Sequence, residues 1–365
     1  MTARKNHAAE PPRPDRPLIG LTLGEPAGIG PEVIVKALAD PALRKRARFI
    51  IYGLHELIAY CADLAEIGPY WYRVPHEEVE RVESGVVVAD FDEYATLGPG
   101  VTRPTAEGGH ASMRFCEEAI AHLRGGRLSA LVTGPISKTS WRMAGYHFPG
   151  HTELLAKRFG ARRVSMMFVG GGLRVALASA HVALFDLRNS FTIGRVHQPI
   201  DLLNEALRDW FGVESPRIGV AALNPHAGEG GQFGDEEQRI IEPAVAMARE
   251  AGIRADGPIP ADTLFRRAMG GEFDGIVAMY HDQALIPVKL LAFHEAVNLT
   301  LGLPAVRTSP DHGTAFDIVG KNKADCGSMK AAVSLAIDLA LRRAAAGASA
   351  SAAPSPADAI IRHFG

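Results

Sequence analysis

An α/β fold, with a largely parallel sheet buried under helices, follows from three features of the sequence. Of its 365 residues, 47% are hydrophobic, enough for a sizeable core in one large domain or two ordinary ones. Eight apolar runs of strand length are nearly continuous rather than alternating, as strands covered on both faces require. Amphipathic stretches of helical period fall between them, the alternation from which α/β folds are built.

The first seventeen residues, MTARKNHAAEPPRPDRP, are polar and proline-rich, and are expected to form a disordered leader. Strands are expected at 18–23 (LIGLTL), 49–53 (FIIYG), 86–90 (VVVAD) and 130–134 (ALVTG). Further strands are expected at 166–170 (MMFVG), 175–181 (VALASAH), 218–224 (IGVAALN) and 275–280 (GIVAMY). Helices are expected over 31–39, 109–124, 197–211, 235–251 and 328–343. From about Ala344 the composition narrows to Ala, Ser and Pro, which suits a mobile tail. No internal repeat is evident, and no linker-like segment interrupts 100–320. That favours two lobes woven from one chain.

Charge and composition exclude several functions. With 39 Lys+Arg against 41 Asp+Glu, the chain lacks the basic footprint of a nucleic-acid binder, and 7% aromatics offer little stacking surface. No apolar run reaches the roughly 18–20 residues of a membrane span, and no signal-peptide core lies near the start. Cys61, Cys116 and Cys326 are too few and scattered for a disulfide framework or a Cys-based zinc site. The expected location is the cytoplasm.

Three histidines fall in corresponding places. His181 closes VALASAH, His226 follows IGVAALNP and His281 follows GIVAMY. The carboxyl edge of an open α/β sheet is where ligands bind. Separations of 45 and 55 residues each allow a strand–helix–strand unit, so the three imidazoles can converge. Three neutral His ligands with an open position describe a catalytic divalent-metal site. Hydrogen-bonded loop histidines would fall in the same places, and the chain has 14 histidines, so spacing leaves both readings open.

Glycine-rich loops add a second signal. GEPAGIGPE (24–32) follows a strand and opens a helix, so it is either an anion cradle or a tight turn. It does not match G-x-G-x-x-G. HAGEGGQFGDEE (226–237) has His226 at its mouth, which favours a functional loop. LVTGPISK (131–138) repeats the strand–turn–helix pattern more weakly.

Beyond His281, Lys289, Asn298 and Arg307 lie in a segment otherwise too apolar for a solvated face. Buried cations need a partner. A phosphate would serve both, and salt bridges to Asp282, Glu295 or Asp311 are the alternative. His151 and Thr152 in FPGHTELLA fit a helix start whose hydroxyl either caps the first turn or holds an anion.

Taken in order, GEPAGIGPE, TGPISK, GHTELLA, NPHAGEGG, PADT, YHDQA, VNLTLGLP and RTSPDHGTAFDI resemble the 4-hydroxythreonine-4-phosphate dehydrogenase (PdxA) family, over about residues 18–342. The resemblance implies an isopropylmalate/isocitrate dehydrogenase-like fold of two α/β/α lobes around a cleft. On that basis we expect a first lobe of 18–140 with 316–343, a second of 141–315 carrying metal and substrate residues, and a flexible tail over 344–365. It implies His181, His226 and His281 as ligands of one divalent metal (Zn, Mg or Co), and His151, Thr152, Lys289, Asn298 and Arg307 as substrate contacts. It further implies a homodimer with the site at the subunit interface. DHGTAFDIVGK (311–321) is similar to the adenosine-binding loop of those dehydrogenases, which implies that His312, Gly313, Thr314 and Asp317 hold NAD or NADP.

The implied reaction is oxidation of a secondary alcohol, then loss of CO2, giving an amino-ketone phosphate in pyridoxal phosphate biosynthesis. Lys289 and Asp262 are the candidate proton-handling groups, neither role being fixed by the sequence. Rival readings are a dehydrogenase of a phosphorylated erythronate or threonate, of an aromatic-acid dihydrodiol, a metal-dependent hydrolase, or a silent metabolite-binding protein.

Overall fold

The computed structural model describes residues 16–352 apart from 82, 83, 96 and 99. Of the expected leader, 1–15 lie outside the described residues; Arg16 is anchored, donating to the Arg44 carbonyl at 3.4 Å. The first strands are β1 (Leu18–Thr22), β2 (Arg48–Gly53), β3 (Tyr72–Pro75), β4 (Val86–Asp90), β5 (Ala130–Thr133) and β6 (Ser165–Gly170). They are followed by β7 (Leu173–Leu177), β8 (Arg217–Ala221), β9 (Arg254–Ile259), β10 (Gly275–Ala278), β11 (Val297–Leu301) and β12 (Val306–Pro310). Helices α1 (Gly30–Leu38), α2 (Pro41–Arg46), α3 (His55–Leu64), α4 (Ala106–Arg124), α5 (Lys138–Met143) and α6 (His151–Phe159) belong to the first half. In the second half are α7 (Ile193–Asp209), α8 (Glu242–Glu250), α9 (Ala261–Met269), α10 (His281–Ala292) and α11 (Gly327–Ala352).

The strands form one sheet in the order β3-β4-β2-β1-β5-β12-β11-β6-β7-β10-β8-β9. From β3 to β12 neighbours are parallel, as they are from β7 to β9. Between the two blocks, β11 and β6 pair antiparallel with each other and with their outer neighbours. Two α/β/α lobes are thus joined by an antiparallel seam. The main core runs through both lobes, and a smaller cluster around Phe168, Val175, Leu264, Ile276 and Val288 lies in the second.

All eight expected strands form, but β7 stops at Leu177, β8 at Ala221 and β10 at Ala278. His181 therefore stands on a loop, four residues beyond its strand, rather than closing it. Four strands went unanticipated, for two physical reasons. β3 and β9 are edge strands, the first mostly exposed and the second with only two buried residues, so neither reads as an apolar run. β11 (VNLTL) and β12 (VRTSP) are fully buried yet carry polar residues, of which Asn298, Arg307 and Ser309 line a cleft. The expected tail also needs correction. Residues 344–352 continue α11, as alanine's helix propensity allows, and 353–365 lie outside the described residues.

The 24–32 loop proves to be a tight turn. Three of its N–H groups are taken by backbone carbonyls: Glu25 donates to Pro135 at 2.8 Å, Gly28 to Glu25 at 2.9 Å and Ile29 to Thr314 at 3.0 Å. A Cβ on Gly30 would run into the Leu23 carbonyl, so glycine serves close packing of helix on strand.

Candidate active site

Over the seam lies a cleft of about 420 Å³. Its floor follows from strand register. Asn298 of β11 stands opposite Ser309 of β12 and Phe168 of β6, while Thr300 stands opposite Met166. Alternation puts these residues, with Arg307, on one face. The walls come from the turn after β5, the start of α6, the loop after β7 and α10.

Arg307 is only 3% exposed and makes no salt bridge to a carboxylate among the described residues. Its guanidinium donates to the Thr133 hydroxyl (Nε 3.1 Å, Nη2 2.5 Å) and the Thr300 hydroxyl (Nη1 3.1 Å). Burial pulls its pKa down to about 10, the mark of a cation short of compensation. Close by, His151 Nε2 and Asn298 Oδ1 are buried without a hydrogen-bond partner. Burial, helped by the Arg307 and Lys138 charges, holds His151 well below the usual imidazole range. Thr152 is buried within α6 and faces the cleft, whereas Gly150 takes the N-cap position, so capping does not explain the hydroxyl. Lys289 took the alternative weighed for it, an ion pair with Asp311 at 3.2 Å.

His181 and His281 meet, with ring centroids 5.9 Å apart. Gln283 fixes the second ring's place: it accepts from the Met279 N–H at 2.7 Å and donates to the Ala222 carbonyl at 2.7 Å, tying the start of α10 to the end of β8. Burial lowers the pKa of His181, with the Lys138 and His281 charges adding to it, so the ring is held neutral.

A family model described as "Pyridoxal phosphate biosynthetic protein PdxA" matches residues 45–336. The chain belongs to the PdxA family. It is 45% identical over 330 residues to a 4-hydroxythreonine-4-phosphate dehydrogenase of Desulfosudis oleivorans, covering 89% of this chain and 96% of that one. It is 42% identical over 332 residues to a D-threonate 4-phosphate dehydrogenase of Cupriavidus necator, covering 90% and 98%. The crystal structure of the Klebsiella pneumoniae 4-hydroxythreonine-4-phosphate dehydrogenase superposes with a TM-score of 0.79 at 37% identity, covering 89% and 99%.

In this PdxA-family chain the cleft gathers most, though not all, of the residues singled out from sequence. His151, Thr152, His181, His281, Lys289, Asn298, Arg307, His312 and Gly313 line it. His226 does not: its side chain is 72% exposed and pairs with Glu229 at 3.1 Å. Among the described residues, no three His, Cys, Asp or Glu side chains lie close enough to share an ion. His181 and His281 thus fit half of a metal site, being two adjacent imidazoles of which one is kept in the ligating form.

Asp262 is exposed in the first turn of α9, outside the cleft. Thr314 packs on the 24–32 loop, and Asp317 is exposed on a single 3-10 turn. Of the four residues expected to hold a dinucleotide, only His312, whose Nε2 is buried and unpartnered, and Gly313, where nothing lies within 4 Å of a Cβ position, line the cleft.

Sequence reasoning missed Thr133, Lys138 and Glu153, all on the cleft. Only the TGPISK turn hinted at the first two.

Proposed function

We propose that this protein oxidises 4-phosphooxythreonine at its secondary alcohol, using NAD or NADP and one divalent metal, with decarboxylation to 3-amino-2-oxopropyl phosphate. The observation that carries this reading is Arg307, a buried cation lacking a carboxylate and aimed into a cleft that also holds two adjacent imidazoles. A phosphate supplies the missing charge, matching the guanidinium's planar fork. The family's printed role in pyridoxal phosphate biosynthesis agrees with it.

The metal, when bound, would polarise the alcohol and then the keto oxygen, and the dinucleotide would accept the hydride. His181 and His281 would hold the metal, with His226 completing the set, and His312 and Gly313 would face the dinucleotide. The chain's own work is to fix the substrate. Thr133 and Thr300 hold Arg307 rigid against the phosphate. Asn298 and His151 offer buried, free polar atoms beside it. Lys289, kept in place by Asp311, is the nearer candidate for moving a proton; Asp262 can reach a cleft only from another subunit.

A homodimer accounts for the scattered histidines. Each stands beside exposed apolar side chains: Val182, Leu184 and Phe185 after His181, Phe233 near His226, and Ile286, Leu290 and Phe293 along α10. Phe185 is 90% and Leu290 81% exposed, an apolar surface that marks an interface. We place the lobe boundaries at 140/141 and 315/316 and the working protein in the cytoplasm. No described helix is long and apolar enough to cross a membrane.

The test is an assay of NADH formation by purified protein with 4-phosphooxythreonine and with D-threonate 4-phosphate, before and after chelation. Chelator-sensitive turnover that favours the first substrate is expected. Preference for the threonate ester would move the protein to the activity named for its Cupriavidus necator relative.

A further inference from the structure

We infer that Thr133 is a further substrate-binding residue, its hydroxyl donating a hydrogen bond directly to the phosphate held by Arg307. The inference rests on the reading of Arg307 as the phosphate anchor. A threonine hydroxyl has a single proton to give and lone pairs to receive. Thr133 Oγ1 accepts from Arg307 twice, from Nε at 3.1 Å and from Nη2 at 2.5 Å. A guanidinium accepts nothing, so the hydroxyl's own proton must point elsewhere. Among the described residues Arg307 is the only hydrogen-bond partner of that hydroxyl. Thr22 is the nearest alternative, standing opposite Thr133 in the register of β1 and β5. Yet Thr22 Oγ1 is itself buried without a partner, so it does not accept the proton.

Access separates the two threonines that hold the guanidinium. Thr133 ends β5 and, though only 1% exposed, lines the cleft. Thr300 is fully buried and does not line it. A buried hydroxyl proton left without an acceptor is costly, and for Thr133 the cleft is where an acceptor can enter. Arg307 prepares the same spot. Nη2 gives one N–H to Thr133 and Nη1 one to Thr300, so each terminal nitrogen keeps another N–H for an oxyanion. A phosphate that takes this pair presents further oxygens to the threonine beside it, and a charged oxygen is a strong acceptor.

A double-mutant cycle, read by phosphorus NMR titration of the purified protein with 4-phosphooxythreonine, separates direct contact from support of Arg307. Thr133→Val keeps the shape and removes the hydroxyl. In wild type it should weaken binding about 10- to 100-fold, the worth of a hydrogen bond to a charged group. In an Arg307→Met background, where no guanidinium is left to position, Thr133→Val should still cost roughly 10-fold. That double variant leaves no buried cation unpaired, so its fold is not at risk. Thr133→Ser should keep most of the affinity in both backgrounds. If Thr133→Val has no effect once Arg307 is gone, the threonine only supports the arginine and the assignment is overturned. A wild type that binds neither 4-phosphooxythreonine nor D-threonate 4-phosphate refutes the phosphate anchor and this role together. A protein that shows the residual loss yet forms no NADH would uphold the hydroxyl's role and refute the dehydrogenase reading.

Discussion

Arg307 and Glu25 show how individual side chains are held at a cost to stability. Removing a buried, uncompensated cation relieves desolvation, so Arg307→Met should leave Tm unchanged or raised. The same change should raise KM for a phosphorylated substrate roughly 100-fold. A large fall in Tm would instead make the guanidinium a structural strut. Glu25 is fully buried, with Oε2 unpartnered, and burial raises its pKa above 4.5. As pH rises past the ordinary carboxylate range the unfolded chain ionises first, so stability contributed by the protonated acid is lost up to the raised folded value. Glu25→Gln should therefore stabilise the protein at neutral pH and lose its advantage in acid. Melting curves across pH would read this as about 1–2 °C per kcal/mol for a chain of this size.

Two elements decide where the chemistry is placed. The antiparallel pair β11–β12 puts Asn298, Arg307 and Ser309 on one face, turning what would be core into a cleft floor. The 225–231 turn presents His226 through six successive residues of positive φ, 226–231, three of them not glycine. Such a backbone is strained and persists only when over-determined by its surroundings. Glu237 supplies the restraint: nearly fully buried, it accepts from the Leu223 N–H at 2.8 Å, the Asn224 N–H at 2.7 Å and the Asn224 amide at 2.9 Å. Glu237→Gln turns one of these into a donor–donor contact and should cost about 1–3 kcal/mol. Metal retention should fall with it. Unaltered stability and metal content would show that the loop holds its shape without this carboxylate.

For the whole molecule, the chemistry turns on assembly. The single chain brings together two imidazoles and leaves His226 and Asp262 outside the cleft. The exposed row Ile286, Leu290 and Phe293 begins on the helix whose first residue is His281. Leu290→Asp should produce a folded monomer by sedimentation, with unchanged far-UV circular dichroism and lost metal and turnover. A dimer that survives this change would place the interface elsewhere.

The α/β class, eight strands and several of the polar cleft residues, among them His181, His281, Asn298 and Arg307, could be read from local pattern. Continuous apolar runs report burial on both faces, and polar groups stranded among them report a ligand. Strands β11 and β12 escaped because their Asn, Thr, Arg and Ser break the apolar run that reading relies on. Lys138 and Glu153 escaped because each looks like an ordinary helix-start charge until the turn and α6 are folded over the seam. Which partner each charge would take, Asp311 for Lys289 and no carboxylate for Arg307, was decided by tertiary structure alone. Periodicity records how deeply a residue is buried. The distance between charges remote in sequence is created only when the lobes close on each other.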